Sequence, residues 1–334
     1  MTNPKEFFFN SKKIAVVRTD KLGDMILTLP MIKVIKELFP EKHISLISSN
    51  YTKVLTENCE YIDKTFFLED YRDGIKEIFN NERFDVIFFP RPKFNECLNA
   101  FITGQKLRVG SAYRWYSFLF NYKIYAHRKT AEKHEAEYNV NMVENLIGRQ
   151  LRTELVRPAI SENVQGKIEV LLKNIGLEEK KFIIIHPGSG GSAFEWHPEN
   201  FGKLAKVIYD KKGLKTIITG NKSDLQKCNT VNNIAINSTN LCSQLTLSEL
   251  LALISKSKLL IANSTGVIHI AAALGINVLG LYPNSPHLSP KRWGPYSINS
   301  ICITPDAKDK NNQDDMNLID FNKVLESTLE LCAE

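Results

Sequence analysis

The stretch VVRTDKLGDMILTLP, residues 16–30, decides the reading of this chain, and NSTGVIHIAAALG, residues 263–275, repeats its logic. Each begins as a β-branched or apolar run, turns at a glycine and opens an apolar helical pattern. A strand that turns sharply into a helix is the first half of a βαβ unit. One such unit in each half predicts two α/β domains facing each other across a cleft. The second helix start can hold an anion, because its first N–H groups lack intrahelical acceptors and the helix dipole favours negative charge there.

The rhythm extends outward from both turns. In the first half, KIAVVR (13–18), HISLIS (43–48), DVIFF (85–89) and LRVG (107–110) read as buried strands. Helices are expected over 25–38, stopped by Pro40, near 70–80, near 94–103 and over about 130–148. In the second half, FIIIH (182–186), KTIITG (215–220), LLIAN (259–263) and NVLGLY (277–282) read as strands. Helices are expected near 164–175, over 198–212, 246–256 and 265–274, and over about 318–332 at the end. Thr246 with Glu249 forms a capping-box pattern. Residues 149–163 read as a linker, which divides the chain into domains at 1–155 and 156–334. The final helix could pack back on the first domain.

Composition narrows the function. The chain has 334 residues, 43% hydrophobic and 24% charged, as expected for a globular enzyme. Lys and Arg exceed Asp and Glu by 43 to 37, a net +6. That balance suits an anionic substrate or membrane surface, while no nucleic-acid motif is present. Cysteines 59, 97, 228, 242, 302 and 332 form no CxxC, and the histidines show no metal-ligand spacing. Reduced, mostly buried thiols in a cytoplasmic protein are expected. No apolar run approaches the roughly 18 residues of a membrane span, although peripheral contact with the inner membrane stays open.

Three loops could carry chemistry. Asp24 follows Gly23 at the carboxyl end of the first strand, where ligands bind in open α/β sheets. A carboxylate there can act as a general base, or it can simply cap the helix. In HPGSGGSAFEWHPENF (186–201), Ser189, Gly190 and Ser192 suit close approach of phosphate oxygens. Gly188, Gly190 and Ala193 also match GxGxxA, the dinucleotide fingerprint. Trp196 and Pro198 delay the helix, so that match is discounted. In the third loop Ser264, Thr265 and Gly266 open a helix, and His269 lies four residues on, on the same face. Capping by Ser or Thr with a packed histidine is the alternative. Arg91, Lys93, Arg108 and Arg114 sit in or near strand ends and could meet an anionic acceptor. In YRWYSFLFNY (113–122), core packing is expected for most rings, with Trp115, Tyr116, Phe118 and Phe120 as candidates for lipid contact.

Together these segments resemble bacterial lipopolysaccharide heptosyltransferases, glycosyltransferase family 9. The similarity rests on VVRTDKLGDMILTLPMIKVIKELFP, on EKHEAEYN (132–139), on IIIHPGSGGSAFEWHPENFGKLA and on NSTGVIHIAAALGINVLGLYPNSP, in family order across nearly the whole chain. The resemblance implies a GT-B fold: two Rossmann-like domains, an N-terminal acceptor domain and a C-terminal nucleotide-sugar domain. It implies inverting transfer of heptose from ADP-heptose to a lipopolysaccharide core or other lipid-linked glycan; the chain has no DxD triplet, so a route without metal or cofactor is expected, with helix N-termini and basic side chains stabilising the leaving diphosphate. Asp24 becomes the base on the acceptor hydroxyl. Ser189, Gly190, Ser192, Ser264, Thr265, Gly266 and His269 become donor contacts; Arg91, Lys93 and Arg114 are expected as acceptor contacts from their strand-end positions, not from a family motif. Two positions depart from the family pattern. Phe194 stands where many relatives have a basic residue, for which Arg18, Lys21, Lys291 or Arg292 are the available substitutes. Ser264 stands where relatives usually have Asp. Other readings are a non-catalytic sugar-nucleotide or glycan-binding relative, an NAD-dependent oxidoreductase using the GSGGSA loop, and a GT-B epimerase.

Overall fold

A computed structural model describes residues 3–191, 194–306 and 310–333. The chain divides into two compact units, Met1–Ala159 and Ile160–Glu334, within the expected linker.

The first unit holds six parallel strands: β1 Lys13–Val17, β2 His43–Ser48, β3 Lys64–Phe67, β4 Val86–Phe88, β5 Leu107–Ser111 and β6 Tyr122–Ile124. Their spatial order is β3-β2-β1-β4-β5-β6. The second unit repeats it with β7 Phe182–His186, β8 Lys215–Ile218, β9 Ser238–Asn240, β10 Leu259–Asn263, β11 Asn277–Leu281 and β12 Ser300–Ile303. Here the order is β12-β11-β10-β7-β8-β9. Numbered within its own unit, each sheet runs 3-2-1-4-5-6, the Rossmann order, with a switch point between strands one and four. Crevices at the carboxyl ends therefore lie between β1 and β4, and between β7 and β10.

The central strands form because their sequences are continuous β-branched and aliphatic runs. β7 (FIIIH) and β10 (LLIAN) are buried at every residue, as parallel strands covered on both faces must be. In the first unit, Ala15, Val17, Ile87 and Phe89 meet Ile78, Phe79 and Phe120 in one core. In the second, Ile183, Ile185 and Ile261 meet Trp196, Phe201 and Leu204. Burying one such side chain contributes about 1.5–3 kcal/mol. The last helix, Phe321–Leu331, packs on the helix Pro198–Lys212 and on β11; Phe321 stacks on Trp196, and the Leu331 carbonyl accepts from Asn277.

Several expected boundaries shift for local reasons. The helix expected over 25–38 is two helices, Leu22–Ile26 and Leu29–Leu38, because Pro30 starts the second and Thr28 precedes it. The helix expected from about 130 begins at Glu135, where His134 and Glu137 form a reciprocal capping box. A helix not anticipated, Pro4–Asn10, is capped by Asn3. Its carboxyl end is held by Lys42, whose buried ammonium donates to the Phe8, Phe9 and Ser11 carbonyls. The aromatic stretch divides: Tyr116 and Phe120 are core residues as expected, whereas Trp115 and Phe118 are 75% and 64% exposed. All six cysteines are free thiols. No helix among the described residues is long and apolar enough to cross a membrane.

Candidate functional site

At the β1/β4 switch point, Asp24 lies inside the helix Leu22–Ile26, not at its cap, which is Lys21. Its carboxylate accepts from Arg18 Nη2. The Arg18 side chain is fully buried, and its Nε lies 3.5 Å from Asp20 Oδ2. From the β4 side, Arg91 Nη1 approaches Asp20 at 3.6 Å and Asp24 Oδ2 at 3.9 Å. Lys93 Nζ lies 3.2 Å from Asp20 and donates to Thr19 Oγ1 at 2.7 Å. Thr19 in turn donates to Glu96. Burial pushes the Glu96 carboxyl above the usual range, against the pull of Thr19 and Lys93. Two arms of chain, each just past a strand end, thus place three carboxylates (Asp20, Asp24 and Glu96) and three basic side chains (Arg18, Arg91 and Lys93) in one crevice.

Asp24 is anchored from behind. Thr28 Oγ1 donates to the Asp24 carbonyl at 2.8 Å, and Asn139 Nδ2 to the Leu27 carbonyl at 2.8 Å. Asn139 is fully buried, and its Oδ1 accepts from Arg128 Nη1 at 3.1 Å. The EKHEAEYN segment therefore caps its own helix and, through Asn139, fixes the turn after Asp24.

At the β7/β10 switch point, the loop after β7 turns through Gly188, Ser189 and Gly190. A Cβ on Gly188 would sit 2.2 Å from the Asp224 carboxyl carbon, so only glycine admits that contact. Gly190 has φ +57°, in the region that favours glycine. Ser189 donates through both its amide and its hydroxyl to Glu195 Oε1, each at 2.8 Å. Lys227 pairs with the other oxygen of Glu195 and lies 3.9 Å from Asp224. His186, at the end of β7, is hydrogen-bonded through Nδ1 to Thr219 Oγ1 at 2.9 Å. Burial pushes its imidazole down to about 4.

Across the crevice, the helix Gly266–Ala273 follows β10 directly. Thr265 is its N-cap residue but makes no side-chain capping bond. Ile268 N donates back to the Thr265 carbonyl at 3.2 Å, which leaves the amides of Gly266 and Val267 as those without an intrahelical acceptor. Ser264, Thr265 and Gly266 are half-buried. Asn263 ties the two arms together, donating to the Pro187 carbonyl at 2.7 Å and accepting from the Trp196 amide at 2.9 Å.

The structure therefore gathers Asp24, Arg91 and Lys93 at one switch point. It places Ser189, Gly190, Ser264, Thr265 and Gly266 at the other. His269 is buried within its helix. Arg114 is exposed on the loop after β5 and makes no ion pair with the Asp24 network among the described residues. Ser192 lies outside the described residues. Arg108 is held by the Leu119 and Gln105 carbonyls beneath Phe101. Sequence reasoning did not single out Asp20, Glu96, Asn139, Glu195 or Lys227. Among the described residues no group of His, Cys, Asp and Glu converges as a metal site would.

Residues 58–320 match the family described as Glycosyltransferase family 9 (heptosyltransferase). A Haemophilus influenzae protein named "Putative glycosyltransferase" is 30% identical over 94% of this chain and 95% of its own length. Among solved structures, a glycosyl transferase family 9 protein from Veillonella parvula superimposes with TM-score 0.83 at 20% identity, covering 96% of this chain and 97% of its own. The E. coli ADP-heptose lps heptosyltransferase II superimposes with TM-score 0.77 at 19% identity, covering 96% and 98%. Two Rossmann-ordered sheets in a GT-B chain, matched over most of its length, place this protein in glycosyltransferase family 9, the heptosyltransferases.

Proposed function

We propose that this glycosyltransferase moves heptose from ADP-heptose to a lipopolysaccharide core or related lipid-linked glycan, inverting the anomeric centre. The observation that carries this reading is the opposite chemistry of the two switch points. The first holds a carboxylate, Asp24, oriented by a buried arginine and flanked by exposed cations. The second offers unpaired helix amides and a glycine-rich loop. The family, and the donor named for the E. coli relative, support ADP-heptose.

In this mechanism the acceptor binds the first unit. Arg91 and Lys93 meet its anionic groups, and Arg114 adds a more distant cation. As the acceptor oxygen attacks the anomeric carbon, its proton passes to Asp24. The bond from that carbon to the diphosphate oxygen breaks, and its electron pair leaves with ADP. The second unit receives the developing charge through the amides at Gly266, the Thr265 hydroxyl and Ser189. Lys227 supplies the cation missing at Phe194, once a phosphate replaces Glu195 beside it. His269 orients the helix from within. This displacement needs no metal or cofactor, and the reaction belongs in the cytoplasm, at the inner face of the inner membrane.

Phe194, which is 54% exposed, favours a second reading in which the fold binds a nucleotide sugar without transferring it. A thermal-shift panel with ADP, UDP, GDP, CMP, NAD and ADP-heptose tests both, since a ligand selective for the native state raises the melting point. Stabilisation by ADP and ADP-heptose, followed by ADP release only when acceptor is added, is the expected result. Binding without acceptor-dependent release supports the second reading. A shift with NAD alone overturns both.

A further inference from the structure

The second switch point holds one buried polar side chain that the transfer mechanism leaves unused. His186 ends β7 and is 7% exposed. Side chains alternate between the two faces of a strand. Ile183 and Ile185 enter the core against Phe201 and Leu204 of the helix Pro198–Lys212, so His186 leaves β7 on the opposite face. Leu279 and Leu281 of β11 share that same core, whereas a Cβ on Gly280 between them would lie 3.3 Å from Ile268. The helix Gly266–Ala273 therefore covers the face on which His186 lies. Ala262, the register partner of His186 on β10, stands two residues before Ser264. The imidazole is thus seated beside the chain that leads into the Thr265–Gly266 turn.

The proton on the ring is placed by elimination. Nδ1 lies 2.9 Å from Thr219 Oγ1, and the Thr219 hydroxyl has no other partner among the described residues. Thr219 is 1% exposed. If Nδ1 carried the proton and donated, the buried hydroxyl would be left with no acceptor, a costly arrangement. Thr219 therefore donates to Nδ1, and the ring proton sits on Nε2. Nε2 has no partner among the described residues, and it is not walled off from solvent. Burial keeps the ring neutral, outweighing the pull of the Asp224 and Glu195 carboxylates. Its open side thus presents one N–H and no lone pair.

We propose that His186 Nε2–H is a hydrogen-bond donor to the diphosphate of the nucleotide sugar. It joins the Gly266 and Val267 amides on the same face of the sheet. Each of these groups can donate and none can accept, which suits phosphate oxygens. A nucleobase edge or a sugar hydroxyl carries donors of its own, which such a site would leave unpaired. This deepens the transferase reading and rests on it for the identity of the ligand.

The test combines calorimetry of ADP binding with nitrogen NMR of the histidine rings. Glutamine brings an amide N–H close to the position of Nε2, whereas asparagine reaches only that of Nδ1. ADP should bind His186→Gln within about twofold of the parent, and His186→Asn about tenfold more weakly. Circular dichroism identifies variants that are folded, and the NMR experiment on the parent needs no substitution. There Nε2 should give the signal of a protonated nitrogen and Nδ1 that of a bare one. ADP and inorganic pyrophosphate should each move the Nε2–H signal, and adenosine should not. A bare Nε2, a signal that moves with adenosine but not with pyrophosphate, or equal ADP affinity in parent and His186→Asn overturns the inference and leaves the transferase reading standing. Failure of the parent itself to bind ADP overturns both.

Discussion

Replacing Gly188 by alanine probes how the second switch point is built. The added Cβ would lie 2.2 Å from Cγ, 2.2 Å from Oδ1 and 2.6 Å from Oδ2 of Asp224. Asp224 is 1% exposed and accepts from the Asn221 amide at 3.0 Å, so it has little room to retreat. Overpacking of this kind costs about 1–3 kcal/mol. Asp224→Ala alone removes that hydrogen bond and leaves the amide unpaired, costing about 1–3 kcal/mol by a separate route. The double variant removes all three atoms that the new Cβ meets. Its loss should therefore fall short of the summed single losses by about 1–3 kcal/mol, the size of the relieved clash. Urea unfolding of the four proteins, followed by tryptophan fluorescence with Trp196 buried in the same unit, measures this coupling. Strict additivity would refute the claim that Gly188 is glycine because Asp224 presses on it.

Other perturbations have expected outcomes. The His186 imidazole is held near 4 by burial, while an unfolded histidine protonates near 6.5. Between those values the unfolded chain binds the extra proton, so stability rises with pH across that window by about 3 kcal/mol in all and is lost on acidification. His186→Asn should flatten this part of the stability-versus-pH curve. Lys42→Met leaves the Phe8, Phe9 and Ser11 carbonyls without their donor, and should cost about 2–4 kcal/mol in unfolding and expose the helix Pro4–Asn10 to proteolysis. Glu195→Ala frees the Ser189 amide and hydroxyl from a competing carboxylate. ADP should then bind about tenfold tighter by calorimetry, reflecting roughly 1.4 kcal/mol; unchanged affinity would remove Ser189 from the donor site.

The sequence exposed the centre of each sheet better than its margins. The runs IAVV, FIII and LLIA announce β1, β7 and β10, because a parallel strand covered on both faces must be apolar throughout. Four strands went unanticipated: β3 (KTFF), β6 (YKI), β9 (STN) and β12 (SICI). All four are sheet edges. An edge strand is short and partly exposed, so neither length nor apolar periodicity marks it. The same limit applies to the site. Asp24 and the Thr265–Gly266 pair lie beside strand–turn–helix signals and were legible. Glu96 meets Thr19 across 77 positions, and Asn139 meets Leu27 across 112, through the fold alone. Lys227 lies on Leu225–Ile234, a helix whose weak apolar face gave no pattern to read. Pro30 did carry a signal for the break after Asp24, but the unbroken apolar run around it hid the two-helix turn.

The most direct test of the account compares Asp24→Asn with the parent enzyme in acceptor-dependent ADP release from ADP-heptose. Asparagine keeps the size of the side chain and an oxygen for Arg18, yet cannot take the acceptor proton. A general base contributes about 10²–10⁴-fold. The account predicts a loss of that order in kcat, with ADP still raising the melting point as it does in the parent. Transfer at the parent rate in Asp24→Asn would contradict it.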